Sequence, residues 1–223
     1  MIDNYELTVD GVLRQIKIEK ESSNSSLNLA KNCHYFNYYN SFDEKPMNEL
    51  RYNLMVSDMT KEEIYHLCIL DFGYGSGTFV KYCFELGNDT YGYDIADTKL
   101  SHGTKINDIN IIFEEEFEIV TFFDSLEHCE DIEFIKNINT EYILISVPWC
   151  HWKKEGDEWF MNWKHRKPNE HLYHFDDISL KKFMKRMGFS CIKIGNFEDV
   201  IRKSIDHRKN ILTGLFKKMK KEM

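Results

Sequence analysis

The chain has 223 residues, of which 42% are hydrophobic and 30% charged, with 11 Gly and 3 Pro. It is too apolar to be disordered throughout and lacks the glycine or proline load of a collagen-like or low-complexity chain, and its length fits one domain with at most a small appended element. Thirty-seven acidic residues against 29 Lys and Arg give a formal net charge of −8, which repels phosphate backbones and disfavours bulk nucleic-acid binding.

The opening YELTV-DG-VLRQIKI alternates apolar and polar residues about Asp10-Gly11, the pattern of a β-hairpin with a tight two-residue turn. A serine- and asparagine-rich connector, ESSNSSLN, leads into Asn32–Asp58, where an aromatic cluster (Tyr35, Phe36, Tyr38, Tyr39, Phe42) and the break at Pro46 predict two helical pieces. Residues 1–60 thus read as an N-terminal extension, and residues 61–223 as the main domain. From Leu67 short apolar runs alternate with helical segments, as in a mostly parallel sheet with crossover helices. The predicted strands are Leu67–Phe72, Thr90–Asp94, Ile109–Phe113, Phe117–Phe123, Tyr142–Val147, Phe189–Ile194 and Ile211–Lys217. The predicted helices are Thr78–Leu86, a short one over Asp97–Lys105, Glu130–Asn137, and Ile178–Met187 capped by Asp176 or Asp177. Trp149 to Phe175 shows no clear period and reads as a long insertion, the kind of loop that carries function at a sheet's carboxyl edge. The cationic run from Arg202 to Lys221 reads as a solvated face or frayed end.

No apolar run reaches the roughly eighteen residues of a membrane span, and the N-terminus has no basic start or apolar stretch of a secretion signal. A cytoplasmic protein without membrane attachment is expected. The six cysteines form no C-x-x-C pair, which argues against a zinc ribbon or disulfide framework and predicts reduced thiols.

The strongest motif is Cys68-Ile-Leu-Asp71-Phe-Gly73-Tyr74-Gly75-Ser-Gly77: a buried strand, an acid at its end, and alternating glycines that open a helix. Glycines let backbone approach a ligand closely, and a helix N-terminus offers N–H groups to an anion. The dinucleotide fingerprint G-x-G-x-x-G is missed in both frames, because Thr78 and Val80 stand where its third glycine belongs. With Asp94 ending the next strand, Phe117–Phe123 followed by Asp124-Ser-Leu-Glu127-His128, and the late HLYHFDDISLKKFMKRMGF segment, residues 67–217 resemble class I S-adenosylmethionine-dependent methyltransferases. Trp163-Lys-His-Arg-Lys-Pro-Asn-Glu-His171 is similar to a segment of methyltransferases from bacterial surface-polysaccharide loci and large phages.

The resemblance implies an α/β fold with a Rossmann-like, mostly parallel seven-stranded sheet, and S-adenosylmethionine as cofactor over the carboxyl ends of the first strands. It assigns cofactor contacts to Asp71, Gly73, Tyr74, Gly75, Gly77, Asp94, Ile95, Asp124 and Ser125, with Asp94 accepting from the ribose hydroxyls and the adenine near Ile106–Asp108. Transfer from a sulfonium rests largely on alignment; for a hydroxyl acceptor the candidate bases are His128, His171 and His174, since imidazole takes a proton near neutral pH. Asp124, Glu127 and His128, at i, i+3 and i+4, are also candidate ligands of a divalent metal. Trp149, Trp163 and Arg166 are candidate substrate contacts, aromatic planes and a guanidinium suited to a sugar face, a base, a carboxylate or a phosphate. The expected activity is O-methylation of a small molecule such as a sugar or nucleotide sugar. The alternatives are an RNA ribose methyltransferase, opposed by the net charge, a non-catalytic binding module of a larger enzyme, and a nicotinamide oxidoreductase, opposed by the missing glycine.

Overall fold

The computed structural model describes residues 2–17, 44–204 and 206–220. The connector, the first predicted helical piece with its aromatic cluster, and Cys33 lie outside the described residues. The strands are β1 (Tyr5–Leu7), β2 (Leu13–Gln15), β3 (Cys68–Phe72), β4 (Asp89–Tyr93), β5 (Thr104–Ile106), β6 (Glu116–Phe123), β7 (Asn139–Pro148), β8 (Tyr173–His174), β9 (Phe189–Gly195) and β10 (Ile211–Lys218). The helices are α1 (Lys45–Met55), α2 (Thr78–Glu85), α3 (Asn110–Glu114), α4 (Trp152–Asn162) and α5 (Asp177–Arg186), with 3₁₀ turns at Leu126–His128, Glu133–Asn137 and Phe197–Val200.

Seven strands form one sheet in the order β5-β4-β3-β6-β7-β10-β9. β5, β4, β3, β6 and β7 pair in parallel, and β10 runs antiparallel between β7 and β9. The expected Rossmann-like methyltransferase sheet is therefore present. The central strands are apolar nearly throughout; β7 is buried from Tyr142 to Pro148, as a strand covered on both faces must be. α5 shows how the covering helices form. Leu180, Phe183 and Met184 fall at i, i+3 and i+4 and are buried. Asp176 caps its N-terminus by accepting from the Ser179 N–H at 2.6 Å, and the Ser179 hydroxyl closes the capping box.

Three predicted elements are corrected. Glu130–Asn137 is not an α-helix but carries a 3₁₀ turn over Glu133–Asn137. Ile109–Phe113 is not a strand but lies in α3, because the Asp108 side chain accepts from the Asn110 N–H and turns the chain at that point. The edge strand is instead Thr104–Ile106, which overlaps the end of the Asp97–Lys105 segment expected to be helical; Gly103, with φ +74°, leads into it. The hairpin is present, but Leu7 pairs with Leu13, so its loop is longer than the Asp10-Gly11 turn. β2 also pairs with β8 inside the 149–175 insertion, making a three-stranded sheet β1-β2-β8. That insertion contains α4, kinked at Gly156 (φ 83°). α1 is part of the main packing, since Met55 is buried against Leu67, Ile69 and Phe79.

Candidate active site

The direction of strand addition reverses between β3 and β6. At such a switch point the two following loops diverge and leave a crevice beyond the carboxyl ends of the strands. Here the loops are Gly73–Gly77, after β3, and Asp124–His128, after β6.

The glycine loop is held from three sides. Its Gly73 N–H donates to the Tyr93 carbonyl at 2.7 Å and its Gly77 N–H to the Tyr74 carbonyl at 2.8 Å. Its Gly75 N–H donates to the Asp94 carboxylate at 2.9 Å, while the other Asp94 oxygen accepts from the Ala96 N–H at 2.8 Å. Gly73 must be glycine: φ is +81° and a Cβ would stand 2.5 Å from the Ser125 Cβ, so the two loops touch there. Gly75, with φ +52°, has nothing within 4 Å of where a Cβ would be. It presents bare backbone to open space beside the Asp94 carboxylate and the exposed Ile95. Burial raises Asp94 above its ordinary range against the two N–H bonds that lower it.

Tyr74 is turned inward and 5% exposed. Its hydroxyl donates to the Thr98 carbonyl at 2.5 Å, and its ring lies over Gly92 of β4. Asp71 is buried beneath the loop and accepts from the Thr121 hydroxyl at 2.7 Å; desolvation pushes it up to about 6. Ser125 donates to the Phe72 carbonyl at 2.7 Å. Asp71, Tyr74 and Ser125 thus shape the loop, whereas Gly75, Asp94 and Ile95 face the opening. Glu44, just before α1, accepts from the Thr78 hydroxyl and, at 3.2 Å, from the Ser76 hydroxyl, which ties the N-terminal segment to the loop.

Asp124 stands in a network that the sequence did not disclose. Arg202 donates to both its oxygens, at 2.7 and 3.0 Å, and also to Glu198 at 3.1 Å. Arg51 of α1 binds Glu198 through two nitrogens, at 2.8 and 3.1 Å, and approaches Asp124 to 3.7 Å. Burial would raise Asp124, but Arg202 and Arg51 outweigh it and hold the carboxyl below the usual range. Two corrections follow. Arg202 belongs to a buried ion network and not to a solvated tail, and Asp124, committed to Arg202, does not join Glu127 and His128 as a ligand set. The residue that does is His171. The available signal was the crowding of unlike charge at 198–202, but nothing in the spacing links it to 51 and 124.

The three histidines separate. His128 is partly exposed on the turn after β6, and burial lowers it to about 4; His171 packs edge to face against it, 4.5 Å between centroids, and is lowered further, first by burial and then by His128. His174 lies elsewhere, 4% exposed in a nest of Tyr5, Phe160 and Trp163 with Nδ1 3.3 Å from the Leu13 carbonyl, and burial lowers it to about 3. It joins the insertion to the hairpin by packing, apart from the His128–His171 pair.

Beyond the carboxyl end of β7, α4 with Ser204 and residues 206–210 borders a cleft of about 570 Å³. Trp159 and Trp163 line it, stacked with centroids 5.2 Å apart, together with His151, Glu155, Arg208 and Lys209. Arg208 is paired with Glu155 at 3.0 Å and Asp206 at 2.7 Å. Trp149 supports this wall from below, 6% exposed, stacked on His151 and covered by Lys209. Arg166 is turned onto the rings of Tyr5 and Phe160, so the guanidinium facing the cleft is that of Arg208.

A family model described as a methyltransferase domain matches residues 28–194. The chain belongs to this methyltransferase family. No curated protein matches it in sequence. Among solved structures it is similar to 1,6-didemethyltoxoflavin-N1-methyltransferase of Burkholderia thailandensis, bound to 1,6-didemethyltoxoflavin and S-adenosylhomocysteine (TM-score 0.57, 11% identity, 97% of this chain and 100% of that one). It is similar also to magnesium protoporphyrin IX methyltransferase of Synechocystis PCC 6803 with S-adenosylhomocysteine (0.52, 16%, 77% and 83%). A third likeness is to the complex of the Haloferax volcanii Trm112 methyltransferase activator with its methyltransferase partner (0.59, 10%, 89% and 100%). The sheet is that of the S-adenosylmethionine-dependent methyltransferases. Among the described residues no helix is long and apolar enough to cross a membrane, and the five described cysteines are free thiols.

Proposed function

We propose that this methyltransferase takes its methyl group from S-adenosylmethionine and transfers it to an oxygen of a small polar molecule, of which a sugar or nucleotide sugar is the first choice. The observation that carries the reading is the open backbone at Gly75 beside the Asp94 carboxylate, at the switch point between β3 and β6. A Cβ at Gly75 would project into this open space, so the residues fit a large ligand. A carboxylate offers about four lone-pair positions, and two at Asp94 are used by N–H groups, which leaves acceptors for vicinal hydroxyls. The bound cofactor supplies a methyl group on a positively charged sulfur, already a good leaving group. The protein aligns it and keeps water away.

The acceptor reading rests on the cleft. Trp159 and Trp163 present the flat apolar surface on which the face of a sugar or a base stacks, and Glu155, Glu158 and Asp206 beside them, with Arg208 held between Glu155 and Asp206, offer acceptors for hydroxyl groups. The cleft is sized for a small molecule, and the net charge of −8 opposes a nucleic-acid substrate. Of the candidate bases, His128 and His171 pack against each other at the turn after β6, where burial lowers both, so they are neutral near pH 7 but weak as proton acceptors. The test is transfer of a labelled methyl group to a panel of nucleotide sugars and free sugars, with oligonucleotides alongside. Labelled sugar supports the reading; label only in oligonucleotides refutes it.

A further inference from the structure

We propose that Glu127, His128 and His171 form a binding site for one divalent transition-metal ion. One oxygen of Glu127 and one ring nitrogen of each histidine all lie within 4.8 Å of one another. Glu127 is 1% exposed, and both of its carboxylate oxygens are buried with no hydrogen-bond partner. A buried carboxylate without a donor is among the costliest arrangements in a fold, and a cation between it and two imidazoles removes that cost.

The scaffold holds the three residues together. The Leu172 N–H donates to the Glu127 carbonyl at 2.7 Å, which clamps His171 beside the Leu126–His128 turn, and the edge-to-face packing of the rings fixes their planes. Glu127 and His171 are buried while His128 is partly exposed, so the site is walled on one side and approachable on the other. Two imidazoles and one carboxylate suit Zn²⁺, Mn²⁺, Fe²⁺ or Co²⁺; Mg²⁺ and Ca²⁺ favour all-oxygen sets. Ligands about 2.1 Å from a tetrahedral zinc stand roughly 3.4 Å apart, so closure draws these side chains in by on the order of 1 Å. Ser125, two residues before Glu127, touches the glycine loop at Gly73. Any role of the ion in holding acceptor oxygens rests on the methyl-transfer reading; the binding itself does not.

The experiment uses the full chain, free of any affinity tag, stripped with EDTA and titrated with Co²⁺ by visible absorption and with Zn²⁺ by calorimetry. One equivalent of each is expected to bind, with a Co²⁺ ligand-field band and a rise in melting temperature on adding Zn²⁺. Glu127→Gln and His171→Ala should each weaken binding at least tenfold, while His66→Ala, at an exposed imidazole, should not. The wild-type titration reads the site even if a variant fails to fold. A folded wild type that binds no equivalent overturns the proposal, as does binding that survives in both variants. A Glu127→Gln protein that melts higher than a non-binding wild type would show that the cluster holds a buried carboxylic acid instead.

Discussion

Replacing Arg202 by Met tests the buried ion network beside the site. The substitution keeps an unbranched stem but removes three charge-assisted hydrogen bonds, two to Asp124 and one to Glu198. Two carboxylates then share the single guanidinium of Arg51, with Glu198 wholly buried. Removing one partner of a buried pair costs about 3–5 kcal/mol; because Arg202 and Asp124 are each about a quarter exposed, the expected loss is nearer 2–4 kcal/mol. Urea unfolding at pH 7 should show it as a midpoint lower by about 1–2 M at an unchanged slope. The pH dependence gives an independent sign. In the wild type burial works against the charged forms of Asp124 and Glu198, but the arginines outweigh it and both carboxyls lie low. Without Arg202 one carboxyl rises above its unfolded value. A raised group contributes its full stability below the unfolded pKa and loses it as pH climbs through the folded pKa, so the deficit against wild type should be largest near pH 7 and shrink by pH 5. A loss under about 1 kcal/mol, or a deficit unchanged between these pH values, would mean that Arg202 does not hold the two carboxylates in their charged forms.

Asp94→Ala removes the carboxylate that both holds the Gly75 N–H and faces the opening, and should weaken S-adenosylmethionine binding by about 1–3 kcal/mol in calorimetry; unchanged affinity would remove Asp94 from the site. Gly75→Val should abolish binding, since its side chain fills the open space; because φ there is +52°, the variant also strains the loop, and a melting scan must show it folded before lost binding is read as a filled site. Trp159→Ala should raise the acceptor KM at least tenfold with cofactor affinity unchanged, and an unaltered KM would place the acceptor elsewhere. His174, lowered to about 3 by burial, stays neutral in the fold and protonates in the unfolded chain, so its contribution is lost as pH falls from about 6.5 towards 3. By pH 5 that amounts to about 2 kcal/mol, and His174→Phe should lose correspondingly less between pH 7 and pH 5; equal losses would contradict it.

The glycine loop and the central strands were legible because each has a local cause: apolar runs fit a sheet covered on both faces, and alternating glycines fit a backbone that turns through positive φ. The failures also have local causes. Thr-Lys-Ile at β5 is a three-residue edge strand with no apolar run to mark it, whereas the Ile-Ile-Phe of α3 has the composition of a strand and too few residues to show a helical period. Gly156 breaks the period of α4, so the insertion read as a loop. The Arg51–Glu198–Arg202–Asp124 network and the meeting of His171 with Glu127 are long-range outcomes of sheet order, and charges far apart in sequence look solvated until the fold brings them together. Nothing in the sequence around His174 marks its burial, since a histidine carries no local sign of it.

On the proposed reading, the Gly73–Gly77 loop and Asp94 hold S-adenosylmethionine. The decisive measurement is calorimetric titration of the full chain with S-adenosylmethionine, and separately with NADH and NADPH. The prediction is one equivalent of S-adenosylmethionine bound and neither nicotinamide; binding of NADH or NADPH alone, or of none of the three to a folded protein, would contradict it.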